Sequence, residues 1–171
     1  MTHACSTAGG STPTRPVQWD SAWPACLLEP PCSAVLRYFD MRFGIPLITF
    51  DSFCLLLRHK TYSLLSATPH VERLAGLHVQ SVGLPVLRSI RHHLKPTTAA
   101  LQHFGTEARR HVLDLSATQV ITLRHEREQP LDLDMQPGYV ILRHAGHMLG
   151  CGLYTPGRLR SQLPQHPVAS F

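Results

Sequence analysis

The apolar residues of this chain come in short runs, and each run ends at a glycine, a proline or a polar turn. Even the most apolar stretch, residues 45–57, is broken by Pro46 and Asp51, and no run approaches the roughly 20 residues of a membrane-spanning helix. Such runs predict short helices and strands. The 171 residues suffice for one compact domain with a small extension, but not for the cofactor and substrate parts of a methyltransferase, kinase or dehydrogenase.

The periodicity of the runs predicts helices that alternate with strands. Helices are expected over residues 33–43, after Thr97 or Thr98, and after Ser116. Strands are expected at residues 53–57, 61–65, 77–79, 86–90 and 112–115, and as a hairpin at 138–142 and 148–153, before a basic coil at 155–165. This pattern predicts an α+β fold with a small barrel or a curled antiparallel sheet.

The N-terminal residues 1–31 are rich in proline, serine and threonine and lack apolar periodicity, so they are predicted to form a flexible arm. Trp19 and Trp23 are the residues by which part of this arm would dock. The arm has no apolar core of a signal peptide. Together with five cysteines, an odd number, this favours reduced thiols in a cytoplasmic protein.

Charge is distributed unevenly along the chain. The formal net charge is +5, and residues 138–171 hold three arginines and no carboxylate. Residues 85–111 hold five basic residues against Glu107 alone, whereas acidic residues concentrate at 126–134. This segregation indicates a basic face and permits an anionic partner, and a solvated surface without a partner is the alternative. The twelve histidines, including His92-His93 and the pair His144 and His147, lack zincin spacing, and no metal site is predicted.

The segment from Gly150 to Arg160 has features of a binding surface. Glycines on both sides of Cys151 predict a place where another chain segment or a ligand comes close. On an extended segment, Arg158 and Arg160 lie on one side and Leu159 on the other, so the guanidinium groups can reach phosphates. Tyr154 is predicted to offer a ring on which an RNA base stacks.

Three sequence blocks carry a family resemblance. Residues 138–152, Gly-Tyr-Val-Ile-Leu-Arg-His-Ala-Gly-His-Met-Leu-Gly-Cys-Gly, followed by Gly-Arg-Leu-Arg-Ser at 157–161 and Pro164, resemble the C-terminal RNA-binding PUA-like module of bacterial Sun-type rRNA 5-methylcytosine methyltransferases. Residues 94–101 resemble that family's Phe-Lys-Pro segment, and residues 113–116 its step from strand to helix. The resemblance implies a PUA-like domain over residues 92–171, an accessory α+β unit over residues 32–91, and structural roles for Gly138, Gly150 and Gly152.

The chain departs from the family at charged positions. Leu153 stands where the family has a lysine, the family's Lys-Asn is Arg160-Ser161, and its Pro-Lys is Pro164-Gln165. Pro31-Cys32 resembles the family's catalytic Pro-Cys, but no glycine-rich cofactor loop precedes it. We interpret this dipeptide as the start of a helix.

These observations predict an RNA-binding protein without a cofactor, without a membrane and without catalysis of its own. It would act on rRNA or tRNA in RNA modification or ribosome biogenesis, directly or beside a separately encoded modifying enzyme. The expected RNA-binding residues are Arg88, Arg91, Lys95, Tyr154, Arg158, Arg160, Ser161 and Gln162. Two alternatives stay open: a small nuclease with the His92-His93 region as its base, and an adaptor whose basic face binds an acidic protein.

Overall fold

The computed structural model describes residues 25–27, 31–68, 70, 81–91 and 93–164. This part of the chain forms two five-stranded sheets and three α-helices. The α+β fold expected from the sequence is therefore confirmed, and both sheets are open and consistent with a PUA-like fold. Within the same residues, no helix has the length and apolar character needed to cross a membrane.

The first sheet is an antiparallel meander in which each strand pairs with the next along the chain. Its strands are β1 (Ala25–Leu27), β2 (Phe53–Arg58), β3 (Thr61–Ser66), β4 (Leu84–Ile90) and β5 (His93–Pro96). Helix α1 (Pro31–Phe43) and a 3-10 helix (Leu47–Phe50) lie between β1 and β2 in the chain. The predicted first helix and the strands β2, β3 and β4 are confirmed, whereas the strand expected at residues 77–79 lies outside the described residues.

The predicted flexible arm contains ordered structure. Strand β1 pairs with β2 through Cys26, which lies opposite Leu56. Pro31 already belongs to α1, as expected for proline at the first helical position. The expectation of a structureless arm is thus wrong at residues 25–27 and at Pro31, because the short apolar run there completes the edge of a sheet. Trp19 and Trp23 lie outside the described residues.

The second sheet is mixed. Its strands are β6 (Val112–Asp114), β7 (Glu128–Pro130), β8 (Gly138–His144), β9 (His147–Thr155) and β10 (Arg158–Ser161), in the order β6-β8-β9-β10-β7. The predicted hairpin of β8 and β9 is confirmed. Strand β6 runs parallel to β8, so the expectation of antiparallel pairing alone is wrong.

The coil expected at residues 155–165 is also corrected. Residues 158–161 form β10, which pairs with β9 on one side and with β7 on the other. The segment is a strand because Leu159 is fully buried and every second residue faces the core. The alternation of Arg158, Leu159 and Arg160 was noted in the sequence, but no strand was predicted from it.

Two helices begin at the hydroxyl residues that the sequence singled out. The Thr97 side chain accepts a hydrogen bond from the backbone N–H of Ala100 and caps α2 (Thr98–Phe104). Ser116 caps α3 (Ala117–His125) and exchanges hydrogen bonds with Gln119 in a capping box. Caps of this kind contribute about 1 kcal/mol each and fix where a short helix starts.

One hydrophobic core joins the two sheets. Buried residues of α1, α2 and the first sheet pack with Ile141 and Cys151 of the second sheet. The opposite face of the second sheet packs Val140, Leu142 and Leu159 against Leu123 of α3. The second sheet is therefore covered on both faces, as the alternation of side chains along β8 requires.

The end of α1 is tied to the chain segment that leads into β6. The carbonyl oxygen of Phe43 accepts hydrogen bonds from the backbone N–H groups of Arg109 (2.9 Å) and Arg110 (3.0 Å). His111 donates from Nδ1 to the carbonyl oxygen of Arg42. These bonds satisfy carbonyls that the last turn of a helix leaves without partners.

Candidate nucleic-acid interface

A row of basic side chains crosses the outer face of the first sheet. Arg88 of β4 lies directly opposite Lys95 of β5. On the other side of Arg88 lies the polar residue Thr61 of β3. Residues directly opposite one another share a face of the sheet. Leu87, the neighbour of Arg88, points to the core on the other face and is fully buried. Arg88 is therefore exposed and adjacent to Lys95.

Lys95 connects this row to the second sheet. Its Nζ donates a hydrogen bond of 2.5 Å to Oε1 of Gln162, a residue 67 positions later in the chain. The backbone N–H of Gln162 donates to the carbonyl oxygen of Cys151 at 3.0 Å, so Gln162 continues the pairing of β10 with β9. Two expected site residues thus meet where the two sheets adjoin.

The two arginines of β10 project from the sheet as predicted, but they share an acidic partner. Arg158 Nη1 and Arg160 Nε each lie 3.2 Å from a carboxylate oxygen of Glu128 on the neighbouring strand β7. Both arginine side chains remain 60% exposed. One carboxylate offsets part of the two positive charges, so an incoming phosphate competes with Glu128.

These side chains form one continuous polar surface. Gln162 lies two residues beyond Arg160, on the same side of the extended chain, and it contacts Lys95. We call this surface the basic strip; its residues are Arg88, Lys95, Gln162, Arg160 and Arg158. The expected residue Arg91 is exposed in the turn between β4 and β5, with a φ of 53°.

Two expected RNA contacts lie inside the protein instead. Tyr154 is 1% exposed, and its hydroxyl donates to the carbonyl oxygen of Leu133 at 2.9 Å. Ser161 is also 1% exposed, and its hydroxyl accepts from the backbone N–H of Leu163. Tyr154 lies directly opposite Leu159 and therefore shares its inward face. The buried ring of Tyr154 offers no stacking surface to a base, and neither residue belongs to the interface.

The glycines of the hairpin lie where the backbone meets other side chains closely. Gly150 has a φ of +138°, and a Cβ there would lie 2.5 Å from Cγ2 of Thr98 at the start of α2. A Cβ on Gly152 would lie 2.9 Å from Cδ2 of Leu142. These contacts are with the protein itself, so the two glycines let β9 lie close to α2 and to the side chains of β8.

A groove of about 520 Å³ lies beside the basic strip. It runs between α1, β5 and the start of the hairpin, and its walls are Tyr38, Arg42, His93, Leu94, Pro137, Gly138, Tyr139 and Leu153. The sequence did not reveal this groove, because its walls come from segments about 100 residues apart. The positions of Tyr38 and Arg42 one helical turn apart were the only local signal.

Arg42 holds one wall of the groove in place. Its Nε donates to the carbonyl oxygen of Tyr139 at 2.8 Å, and its Nη2 donates to that of Gln136 at 3.1 Å. Gly138 has a φ of +129°, and a Cβ on it would lie 3.1 Å from the guanidinium carbon. Glycine at this position therefore lets the guanidinium lie against the backbone.

Burial tunes the titratable groups near the groove. It raises the pKa of Tyr38 and of Tyr139, so both phenols stay protonated at neutral pH. Burial lowers the pKa of Arg42, with the nearby Tyr38 acting in the opposite direction. It raises the pKa of the Cys151 thiol to about 12, against a smaller lowering by Lys95. Cys151 is thus a thiol at neutral pH and not a nucleophile.

The cysteine and histidine that the sequence offered for catalysis lie in different parts of the fold. Cys32 is 6% exposed in the first turn of α1, in agreement with the interpretation of Pro31-Cys32 as a helix start. His93 lies in the groove, whereas His92 is outside the described residues. None of the groove-lining residues is a carboxylate that could orient the His93 ring. In the described part of the chain, no three histidine, cysteine or acidic side chains come together as a metal site.

The architecture defines a class of protein. A five-stranded sheet with a glycine-bearing hairpin, flanked by short helices, is consistent with a PUA-like fold. Residues 110–168 match the family model described as the methyltransferase RsmF PUA domain, and the match includes no methyltransferase catalytic domain. The resemblance to the C-terminal PUA domain of Sun-type methyltransferases is thereby confirmed for this segment.

The match begins at Arg110 and covers α3 and all strands of the second sheet. The resembling block at residues 94–101 lies before it. A search among curated proteins found no match. A PUA domain of this kind suggests RNA binding in RNA modification.

Proposed function

We propose that this protein binds rRNA or tRNA through the basic strip and takes part in RNA modification or ribosome biogenesis. It carries out no catalysis of its own and works directly or beside a separately encoded modifying enzyme. The observation that carries the proposal is the contact between Lys95 and Gln162, which joins the cations of the two sheets next to the PUA domain.

The proposed interface uses both parts of the chain. We assign residues 92–171 to the PUA-like domain and residues 32–91 to an accessory unit. The accessory unit contributes Arg88 and Arg91, and the PUA-like domain contributes Lys95, Arg158, Arg160 and Gln162. Each cation that neutralises a phosphate releases a counterion, which makes the affinity strongly dependent on salt. Arginine also binds phosphate with two parallel hydrogen bonds.

The test is a salt series on variants of the basic strip. Arg88→Ala and Lys95→Ala should each weaken the binding of single-stranded RNA and of tRNA, measured by fluorescence anisotropy. Each should reduce the slope of log affinity against log salt by about 0.7 on single-stranded RNA, because one phosphate contact is lost. The control is Arg124→Ala, since Arg124 is exposed on α3, which packs against the opposite face of the second sheet.

Equal slopes for the control and the strip variants would place the RNA surface elsewhere. If the wild-type protein binds RNA without dependence on salt, or not at all, the proposal is wrong. Binding to an acidic protein in place of RNA would then support the adaptor alternative.

A further inference from the structure

We propose that the groove beside the basic strip receives one unstacked base of a bound RNA strand, while the phosphates of that strand lie along the strip. This inference rests on the proposed function and adds a base-binding site to it. Single-stranded RNA is commonly recognised in this way, with bases turned away from their neighbours and placed against aromatic side chains.

The groove and the strip meet at the second sheet. Leu94 lines the groove, and the next residue, Lys95, starts from the opposite face of β5 and reaches Gln162, two residues beyond Arg160. Leu153 lines the opposite wall and lies directly opposite Arg160 in the second sheet. An RNA strand held by Arg160 therefore passes beside the groove wall at Leu153, within reach of a base.

The chemistry of the groove fits a nucleobase. Leu94 and Leu153 supply apolar surface, and Tyr139 supplies an aromatic ring. The hydroxyls of Tyr38 and Tyr139 and the ring of His93 make no hydrogen bond with any side chain or backbone group in the described part of the chain. Each of these groups can donate or accept a hydrogen bond at the polar edge of a base. A volume of about 520 Å³ is in the range of small-ligand sites.

Arg42 acts as a positioning residue in this groove. Both described hydrogen bonds of its side chain go to backbone carbonyls, those of Gln136 and Tyr139, so it fixes the wall that carries Tyr139. The cations that contact phosphate are those of the strip. Because the Arg42 side chain binds backbone carbonyls and the basic strip binds phosphate, the groove itself is not the phosphate site.

The test compares two oligomers of equal charge. One is a uridine oligomer of about 12 nucleotides, and the other is built of stable abasic ribose phosphates at the same length. Wild-type protein should bind the uridine oligomer about tenfold more tightly, because the abasic strand supplies phosphates without a base to stack. The salt slopes for the two oligomers should be the same.

Filling the groove should remove this preference. Leu153→Trp should lower the affinity for the uridine oligomer to that for the abasic strand and leave abasic binding unchanged. The control is Ile121→Trp, because Ile121 is 58% exposed on α3, which packs against the opposite face of the second sheet and does not line the groove. The thermal transition of each variant shows whether it folds, and the comparison of oligomers on wild-type protein needs no variant.

The outcomes separate the two proposals. Equal affinity of the wild-type protein for both oligomers, with a steep salt slope, would overturn the base site and leave the basic strip in place. Absence of salt-dependent binding to either oligomer would overturn the proposed function and the base site with it.

Discussion

Glu128 is the residue that sets the charge of the candidate interface. Its carboxylate contacts both arginines of β10 at 3.2 Å. Surface ion pairs of this kind contribute at most about 1 kcal/mol each, so they hold the guanidinium groups only loosely. Glu128 thus lies beside Arg158 and Arg160 in the free protein and would compete with a phosphate bound by them.

Replacing this carboxylate should strengthen RNA binding. We expect Glu128→Gln to raise the affinity for single-stranded RNA about fivefold, because the phosphate no longer displaces a competing anion. Filter binding over a salt series measures this effect. Glu126→Gln is the matched control, since Glu126 is exposed two residues earlier and makes no ion pair within the described residues.

The effect of Glu128→Gln should require its two partners. In a protein with Arg158→Ala and Arg160→Ala, RNA binding is weaker across sequences and Glu128→Gln changes it little. An equal gain in affinity with and without the arginines would mean that Glu128 acts through long-range charge alone. The double-alanine protein should keep its stability, since both side chains are exposed.

At the scale of elements, the hairpin of β8 and β9 depends on its glycines. The space at Gly152 is occupied by Val140 and Leu142 of the partner strand, which would lie 3.2 Å and 2.9 Å from a Cβ. Both neighbours are fully buried and cannot move outward. The close contact between Gly152 and the side chains of Val140 and Leu142 therefore lies within the core of the second sheet.

Gly152→Val should destabilise the fold before it affects binding. We expect the free energy of unfolding to fall by about 1–3 kcal/mol, because three added carbons enter a packed core. Thermal or urea unfolding measures the loss. Thr155→Val in the same strand is the control, because it keeps the side-chain size at a half-buried position. Equal stability of the two variants would show that the sheet opens locally to accept a side chain at Gly152.

Local signals predicted most of these elements, and non-local pairing accounts for the errors. The hairpin and the caps at Thr97 and Ser116 follow from residues close in the chain. The parallel pairing of β6 with β8 depends on a partner nearly 30 residues away. Tyr154 was misplaced because the alternation that turns Leu159 inward was not extended to its cross-strand neighbour.

The candidate site was also predicted only in part, because some of its features depend on pairing between distant segments. The charge pattern identified the cations of the strip, because exposed basic residues are visible in the sequence. It did not identify Glu128 as their partner or the groove beside them. Both depend on which strands become neighbours.

At the scale of the whole molecule, the two sheets share one core. Ile141 and Cys151 of the second sheet pack with residues of α1 and the first sheet. The carbonyl of Phe43 further joins α1 to Arg109 and Arg110. The two sheets therefore stabilise each other.

The N-terminal residues provide a test at this scale. A protein that begins at Ala25 should keep the cooperative thermal transition of the full chain, because it retains β1. A protein that begins at Pro31 should melt at a lower temperature, since β2 loses its antiparallel partner at the sheet edge. Scanning calorimetry distinguishes them. Loss of the transition in the first truncation would show that residues 1–24 belong to the core.

The shared core also has a consequence for folding during synthesis. In a chain made from its N-terminus, α1 and the first sheet are complete long before Ile141 and Cys151 exist. Until then the apolar residues of α1, α2 and that sheet lack the cover that Ile141 and Cys151 provide, and this part of the core is open to water and to other nascent chains. Synthesis of the hairpin closes it, so the segment that carries the family signature is also the one that ends the vulnerable period of folding.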